Sequence, residues 1–286
     1  MSSPATPNDS HANRLTSSEI ADDDQLRSSY VRSLVKNVST GVPIDASSAL
    51  PHALVQFWDD AKTIPTDVQE CIDSWKPLEK EGFKRLLFDD SSAKQFIAEN
   101  LDSSHLMAFE LCAHPAMRSD YFRLCFILIN GGFYVDTDDV YQGDGCESWF
   151  HDDRLKLQPL CYNKSTGSMV SATVFLTNLE ASTDLIYYVN NDPLIAPPRH
   201  PIIRMALERA TRSLLNRSGD IRDIQSITGP GNLTACLVKH DIESRHAKNK
   251  KDFTFLIGWD SVAVSKWQLE YRDDERNWRH WVGGDA

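Results

Sequence analysis

The stretch from His114 to Asp139, HPAMRSDYFRLCFILINGGFYVDTDD, joins a long apolar helix pattern to a short strand with only Gly131-Gly132 between them. Pro115 stands at a good first helical position, and the glycine pair at a good C-terminal break. Tyr121, Leu124, Cys125, Leu128 and Ile129 fall on one face, the expected core stripe, while Asp120, Arg123 and Ile127 share another. So tight a turn sends the strand back along the helix. From Arg123 to Asn130 the helix rises ~10 Å, and from Phe133 to Asp136 the strand runs ~10 Å. Asp120 and Arg123 are therefore expected level with Asp136 and Asp138, at the strand-end edge where open α/β sheets bind ligands.

Asp136, Asp138 and Asp139 concentrate negative charge where a core strand should simply become a loop. Acidic pairs at strand ends are often solvated turn residues, and Asp120 with Arg123 also suits a plain i,i+3 helix pair worth ~0.2–0.5 kcal/mol. The functional alternative is a hard divalent cation, Mn²⁺ or Mg²⁺. Such ions accept carboxylate oxygens and complete their shell with water and phosphate. A metal-bridged diphosphate is a good leaving group, because the cation neutralises the charge that develops on it.

The flanking text alternates strands and helices. A first strand is expected at His52–Trp58 and a second at Phe83–Asp90. Between them lies a helix with Thr66 as N-cap, apolar Val68, Cys71, Ile72 and Trp75, and Pro77 as stop; after them comes a short helix capped by Ser91 or Ser92. This pattern predicts an α/β layered sheet, and 286 residues suit one large domain. Residues 1–48 read as a flexible polar lead with one short helix near Gln25–Lys36, and 49–286 as the folded domain.

A net charge of -11 disfavours nucleic acid and anionic membranes as partners. The basic run Ser244–Lys251 reads as a solvated loop. No apolar run approaches the ~20 residues of a membrane span, and the N-terminus lacks the basic-then-apolar order of a signal peptide. Six cysteines without close pairing suggest free thiols and a cytoplasmic setting.

The central motif resembles that of the family 32 D-x-D glycosyltransferases, which are themselves similar to the catalytic domains of glucosylating toxins. VQFW resembles the family's opening strand, CIDSWKPLEKEGFKRLLFDDSSAKQFI its next helix and strand, NNDPLIAPPRHPII its Asn…His-Pro element and TGPGNLT its Thr-Gly-Pro turn. Together these cover roughly residues 52–236. The resemblance implies a GT-A fold, a single Rossmann-like mixed sheet flanked by helices with the D-x-D at a strand end. It also implies a retaining transfer from a nucleotide-diphosphate sugar, UDP-linked in preference to GDP-linked, to a hydroxyl acceptor. Position by position, Gln56, Trp58, Arg118, Asp120, Arg123, Tyr134 and Asp136 would bind the donor. Among them Trp58 would stack near the base, Asp120 and Arg123 would hold sugar hydroxyls, and Asp136 would face the ribose or a metal-bound water. Asp138 would bind the metal directly, Asn191 would lie near the anomeric centre, and Asp136, Asp138 and Asn191 would carry the chemistry.

The last metal ligand of such enzymes lies close to the C-terminus, beside a Ser-Trp or His-Trp, and His280-Trp281 is the nearest counterpart here. Trp259, Trp267, Trp278 and Trp281 crowd the last 28 residues, either as packing for a closing segment or as a lid over the diphosphate. Asp139 is expected behind the metal site or on the acceptor side. Two other readings stay open. FYVDTDDV also fits the nucleophile strand of a Mg²⁺-dependent phosphohydrolase of haloacid-dehalogenase type. The polar N-terminus also fits a secreted effector that glycosylates a protein.

Overall fold

A computed structural model describes residues 15–37, 50–143, 145–177, 182–216 and 223–281. In chain order the elements are α1 Ser17–Asp22, α2 Asp24–Lys36, β1 Ala53–Phe57, α3 Thr66–Ser74, β2 Lys84–Phe88, α4 Asp90–Asn100, α5 Ser103–Glu110, α6 Pro115–Asn130, β3 Gly132–Tyr134 and β4 Asp139–Tyr141. They continue with β5 Leu155–Asn163, β6 Ser168–Met169, α7 Ala172–Thr177, β7 Leu185–Ala196, α8 Pro201–Leu215, α9 Ile224–Ile227, α10 Pro230–His246, β8 Phe253–Phe255, α11 Trp259–Val262 and β9 Ala263–Ser265. The main sheet runs β2-β1-β3-β7-β5-β6, with β8 also on β5. β1 pairs parallel with β2 and β3, whereas β7 runs antiparallel to both β3 and β5. The sheet is thus mixed and flanked by helices, as expected. A separate two-stranded ribbon joins β4 to β9.

α6 is the spine of the molecule. His114 caps it by accepting the Ala116 N–H at 3.0 Å, and Pro115 sits in its first turn. Burial extends beyond the expected stripe: every residue from Asp120 to Leu128 is buried, because α4, α5 and α8 cover the side turned away from the sheet. Ile129, expected in the stripe, is only half-buried at the helix end. The Gly131-Gly132 turn is required by space as well as by backbone angle. Gly131 has φ +66° and a Cβ there would meet Pro198 at 2.7 Å; Gly132 has φ +112° and its Cβ would meet the Ala53 carbonyl at 2.7 Å.

Small shifts from the sequence reading have local causes. α3 begins at Thr66 itself after Pro65, with no side-chain cap bond. α4 is capped by Asp89, whose carboxylate accepts the Ser92 N–H at 2.8 Å while Ser92 reaches back to the Asp89 N–H. Asp outcompeted the serines because its carboxylate serves the helix N-terminus better. Ser244–His246 of the expected basic loop continue α10.

The polar lead is only partly so. α2 lays Val31, Leu34 and Val35 against β7 and α10, and Tyr30 Oη donates to Asp241 at 2.7 Å. Residues 17–36 therefore belong to the folded body, and the expected boundary at 48 lies outside the described residues. A polar exterior with a narrow apolar stripe hid this second helix's packing face.

Candidate active site

The helix–glycine–strand turn brings Asp120 and Arg123 to Asp136 as the spacing predicted, whereas Asp138 turns to Tyr271 and Arg272. Arg123, on α6, donates through Nη2 to Asp136 Oδ1 at 2.8 Å and lies 3.0 Å from Asp120 Oδ1. It also donates to the Asn191 carbonyl at 2.9 Å and to Ser119 Oγ at 3.1 Å. Its guanidinium packs over the Tyr134 ring, 4.4 Å from the centroid, and Tyr134 Oη is bonded to Ser119 at 2.7 Å. Arg123 is thus fixed by aromatic face, hydroxyl, carbonyl and two carboxylates. Asp120 in turn accepts from Asn191 Nδ2 at 2.8 Å and, more loosely, from Thr228 Oγ1 at 3.4 Å. The Thr-Gly-Pro turn brings Thr228 there, and Gly229 lies so close that a Cβ would sit 3.2 Å from Asp120 Oδ2.

These groups face a cleft of about 830 Å³, walled by Trp58, Asp120, Arg123, Asp136, Asp138 and Asn191 among others. The size suits a small-molecule ligand. Trp58 is buried in the wall, edge-on to Tyr271 at 5.3 Å, and its Nε1 has no hydrogen-bond partner. Asp136 is the more open carboxylate, its side chain 36% exposed against 14% for Asp138.

Charge is in excess on the acidic side. Seven carboxylates of the described residues line the cleft, among them Asp120, Asp136, Asp138, Asp139 and Asp192, with the guanidiniums of Arg123 and Arg272 close to these five. Burial pushes Asp120 up to about 6 despite the Arg123 charge. Burial and the neighbouring Asp138 charge push Asp139 up to about 8, and burial with Asp136 nearby raises Asp192 well above the usual carboxylate range. The Asp139 charge adds to the rise at Asp192. Burial and the Asp136 charge also raise Asp138, with Arg272 opposing.

This excess fits a hard divalent cation. Among the described residues no three His, Cys, Asp or Glu side chains converge on one point. Asp136 and Asp138 would therefore supply the protein oxygens, with water and a ligand's phosphates completing the shell, as is usual for Mg²⁺.

Not every expected residue reaches the cleft. Gln56 lies behind it, donating to the Asp136 carbonyl at 3.4 Å, and Tyr134 lies beneath Arg123. Both position the site rather than line it. Arg118 turns to Asp90 Oδ1 at 2.8 Å and ties α4 to α6. It points away because helical spacing places residue 118 off the face of 120 and 123. His280 is exposed, bonds through its backbone to Asn277, and is not brought to Asp138. Its neighbours Arg276, Asn277, Trp278 and Arg279 line the cleft instead. Trp281 packs near His114, 5.4 Å between rings, and Trp259 stacks on Trp75 in the core, so the crowded tryptophans divide between packing and cleft wall.

Four functional candidates escaped the sequence reading. Asp192 accepts the Asp136 N–H at 2.9 Å and so fixes the D-x-D turn. Ser265 donates to Asp139 at 2.7 Å. Tyr271 and Arg272 both engage Asp138 Oδ2. Asp192 stood inside the NNDP string; the other three carry no local signal.

The family model for a glycosyltransferase sugar-binding region containing a DXD motif matches residues 65–155, about a third of the chain. Over those residues the chain is similar to the DXD sugar-binding region of glycosyltransferases. That region holds α3 through the start of β5, including α6, the Gly-Gly turn and the D-x-D. It bears out the resemblance over the phosphohydrolase reading. An uncharacterized glycosyltransferase of Acanthamoeba polyphaga mimivirus is 19% identical over 181 residues, 63% of this chain and 61% of that relative's length. Among solved structures, the PaToxG glycosyltransferase aligns with a TM-score of 0.46 and 14% identity over 78% of this chain and 79% of its own. The UDP-bound glycosyltransferase domain of the YGT toxin aligns at 0.33 and 12%, over 73% and 57%.

Proposed function

We propose that this protein is a metal-dependent, retaining glycosyltransferase that moves a sugar from a nucleotide-diphosphate donor, UDP-linked in preference to GDP-linked, to a hydroxyl acceptor that is a small molecule or glycoconjugate. One observation carries the reading: the D-x-D carboxylates open into the same cleft as the Asp120–Arg123–Asn191 network and Trp58. Asp136 and Asp138 would hold Mn²⁺ or Mg²⁺, which when bound neutralises charge on the departing diphosphate. Asp120 presents carboxylate oxygens to donor-sugar hydroxyls, in charge-assisted bonds stronger than neutral ones. Arg123 keeps Asp120 and Asp136 in register and holds the Asn191 carbonyl at the place assigned to the anomeric centre. Trp58 offers a buried aromatic wall to the base.

The acidic side chains support same-face attack over a protein nucleophile. Asp120 is held by Arg123 and Asn191, Asp138 by Tyr271 and Arg272, Asp139 by Ser265, and Asp192 by the Asp136 N–H. In this reading the acceptor hydroxyl enters beside the leaving diphosphate and gives its proton to the departing phosphate oxygen. Six buried, free cysteines support the cytoplasmic setting proposed for the protein. No helix among the described residues is long and apolar enough to cross a membrane.

The test is a thermal-shift panel of nucleotides and nucleotide sugars with Mn²⁺, Mg²⁺ or chelator. A ligand at 100 times its Kd stabilises by ~2.7 kcal/mol. One nucleotide diphosphate should shift the melting temperature only with metal present. Equal shifts with metal and with chelator would overturn metal dependence, and product of inverted anomeric configuration would overturn retention.

A further inference from the structure

The segment after β9 carries three arginines into the cleft: Arg272, Arg276 and Arg279. Arg272 is engaged with the carboxylate that the proposed function gives to the metal. Its Nη2 pairs with Asp138 Oδ2, and the same oxygen accepts Tyr271 Oη at 2.7 Å. A divalent cation on Asp138 and this guanidinium would occupy the same position.

Arg272 is poorly satisfied where it is. Its Nε is buried and has no hydrogen-bond partner, although the side chain is only 13% exposed. A buried N–H without an acceptor is costly. Around it stand the faces of Trp267 and Tyr271, 4.4 and 5.5 Å away, which hold a cation without supplying an acceptor. Arg279 lies 4.8 Å over the same Trp267 ring, so a second positive charge is near. Two guanidiniums on one aromatic platform, one with a spare donor, fit an anion richer in oxygens than a single aspartate.

The backbone is anchored while the side chain can turn. The Glu270 N–H donates to Asp67 at 2.7 Å, Leu269 is buried beside Trp58 and Val68, and Asn277 Nδ2 holds the Arg272 carbonyl at 2.7 Å. Moving the guanidinium therefore needs rotamer changes and not the release of the segment.

Resting on the proposed metal site, we infer that Arg272 is the cation a divalent metal displaces from Asp138, and that the freed guanidinium then pairs with the donor's diphosphate. In the donor-free protein it keeps Asp138 from standing as an unpaired buried charge. With donor bound it becomes a phosphate-binding residue, for which the planar arginine fork is well shaped.

The experiment is Mn²⁺ binding followed by electron paramagnetic resonance, with UDP binding followed by calorimetry, on wild type, R272Q, R272K and D138N. Circular dichroism confirms that each is folded. Without nucleotide, R272Q should bind Mn²⁺ about ten- to a hundredfold more tightly than wild type, the weight of one or two charge-assisted hydrogen bonds. R272K, which keeps a charge but lacks the fork, should fall between. At saturating Mn²⁺, R272Q should bind UDP about tenfold more weakly. Mn²⁺ affinity in R272Q equal to or below that of wild type overturns the displacement, and unchanged UDP affinity overturns the transfer to diphosphate. If D138N and wild type bind Mn²⁺ alike, the metal site itself is misplaced, and the proposed function fails along with this inference.

Discussion

Replacing Arg123 with methionine tests whether the site's electrostatics hold the fold as well as the ligand. Methionine keeps most of the stem's volume and removes the guanidinium. Asp120, 8% exposed, then loses its counter-charge in a place water reaches poorly. Breaking a buried ion pair from one side costs about 3–5 kcal/mol. Asp136 adds little, because its side chain is 36% exposed and solvent can replace the lost partner. The Asn191 carbonyl loses its donor, a further ~1 kcal/mol. The sum is about 4–6 kcal/mol, a large share of the ~5–15 kcal/mol typical of a domain. Urea unfolding followed by circular dichroism at pH 7 measures it. Asp120→Asn in the same background removes the stranded charge, so the double mutant should recover about 1–3 kcal/mol relative to Arg123→Met alone. The loss should also grow between pH 5 and 8. Without Arg123 the folded pKa of Asp120 rises further above about 6, and a carboxyl with a raised folded pKa loses stability as pH climbs through it. A single mutant within ~1 kcal/mol of wild type, or a cycle with no coupling, would refute this account of Arg123 as the linchpin of the site.

Asp138→Asn should abolish transfer and lower the melting temperature without metal, since leaving buried Arg272 without its carboxylate outweighs the relief of a charge that burial and Asp136 disfavour; full metal-dependent turnover in this variant would remove Asp138 from the metal. In chelator, stability should fall as pH rises from 5 to 9. Asp120 and Asp139 have folded pKa values of about 6 and about 8 against an ordinary 3.8, so their contribution is complete below about pH 4 and is lost through those two values. Mn²⁺ should restore the alkaline side, and a pH profile of melting temperature with and without metal reads both effects. Asp152 has the opposite sign: burial raises it, but Arg154 and Lys156 outweigh this and hold it at about 2. Its contribution is present above about pH 4 and disappears toward pH 2, which the acid limb of an Asp152→Asn comparison should show. Gly131→Ala should cost about 2–3 kcal/mol by urea unfolding, because φ is +66° and Pro198 leaves 2.7 Å for the new methyl.

The centre of the site was legible because it is local. One helix, one turn of forced geometry and one strand fix Asp120, Arg123 and Asp136 relative to each other, and helix rise and strand rise suffice to compute the meeting. The expected contact between Arg123 and the far aspartate did not follow. After Val135 the chain leaves the strand, and the Asp136–Asp139 turn carries Asp138 away from Arg123 toward Tyr271 and Arg272. Those partners come from more than 130 residues later, held by the β4–β9 ribbon, and no periodicity within either segment announces the pairing. The His280 expectation missed for the same reason: a motif near a chain end fixes composition, but which side chain faces inward depends on how the last turn closes.

Three arginines of the cleft, Arg123, Arg272 and Arg279, have different kinds of neighbour, and that difference assigns their work. Arg123 is met by two carboxylates, a hydroxyl, a carbonyl and a tyrosine face, so moving it would strand several groups at once. It is scaffold, and its loss should appear first as lost stability. Arg272 is met by one carboxylate and two aromatic faces, and like Arg123 it keeps a buried Nε–H without an acceptor, so the contrast lies in the number of carboxylate, carbonyl and hydroxyl partners. Moving it strands only Asp138, which a metal can serve equally well. Arg279 sits over Trp267 and Trp278, at a position exposed to solvent, where the Arg272 charge adds to its desolvation in disfavouring its own charged form. An arriving diphosphate would relieve both Arg272 and Arg279 while leaving Arg123 where it is. In the proposed function the rigid guanidinium would lie on the sugar side of the cleft and the movable ones on the phosphate side, which is the division a transferase needs between holding the group that is moved and releasing the group that departs.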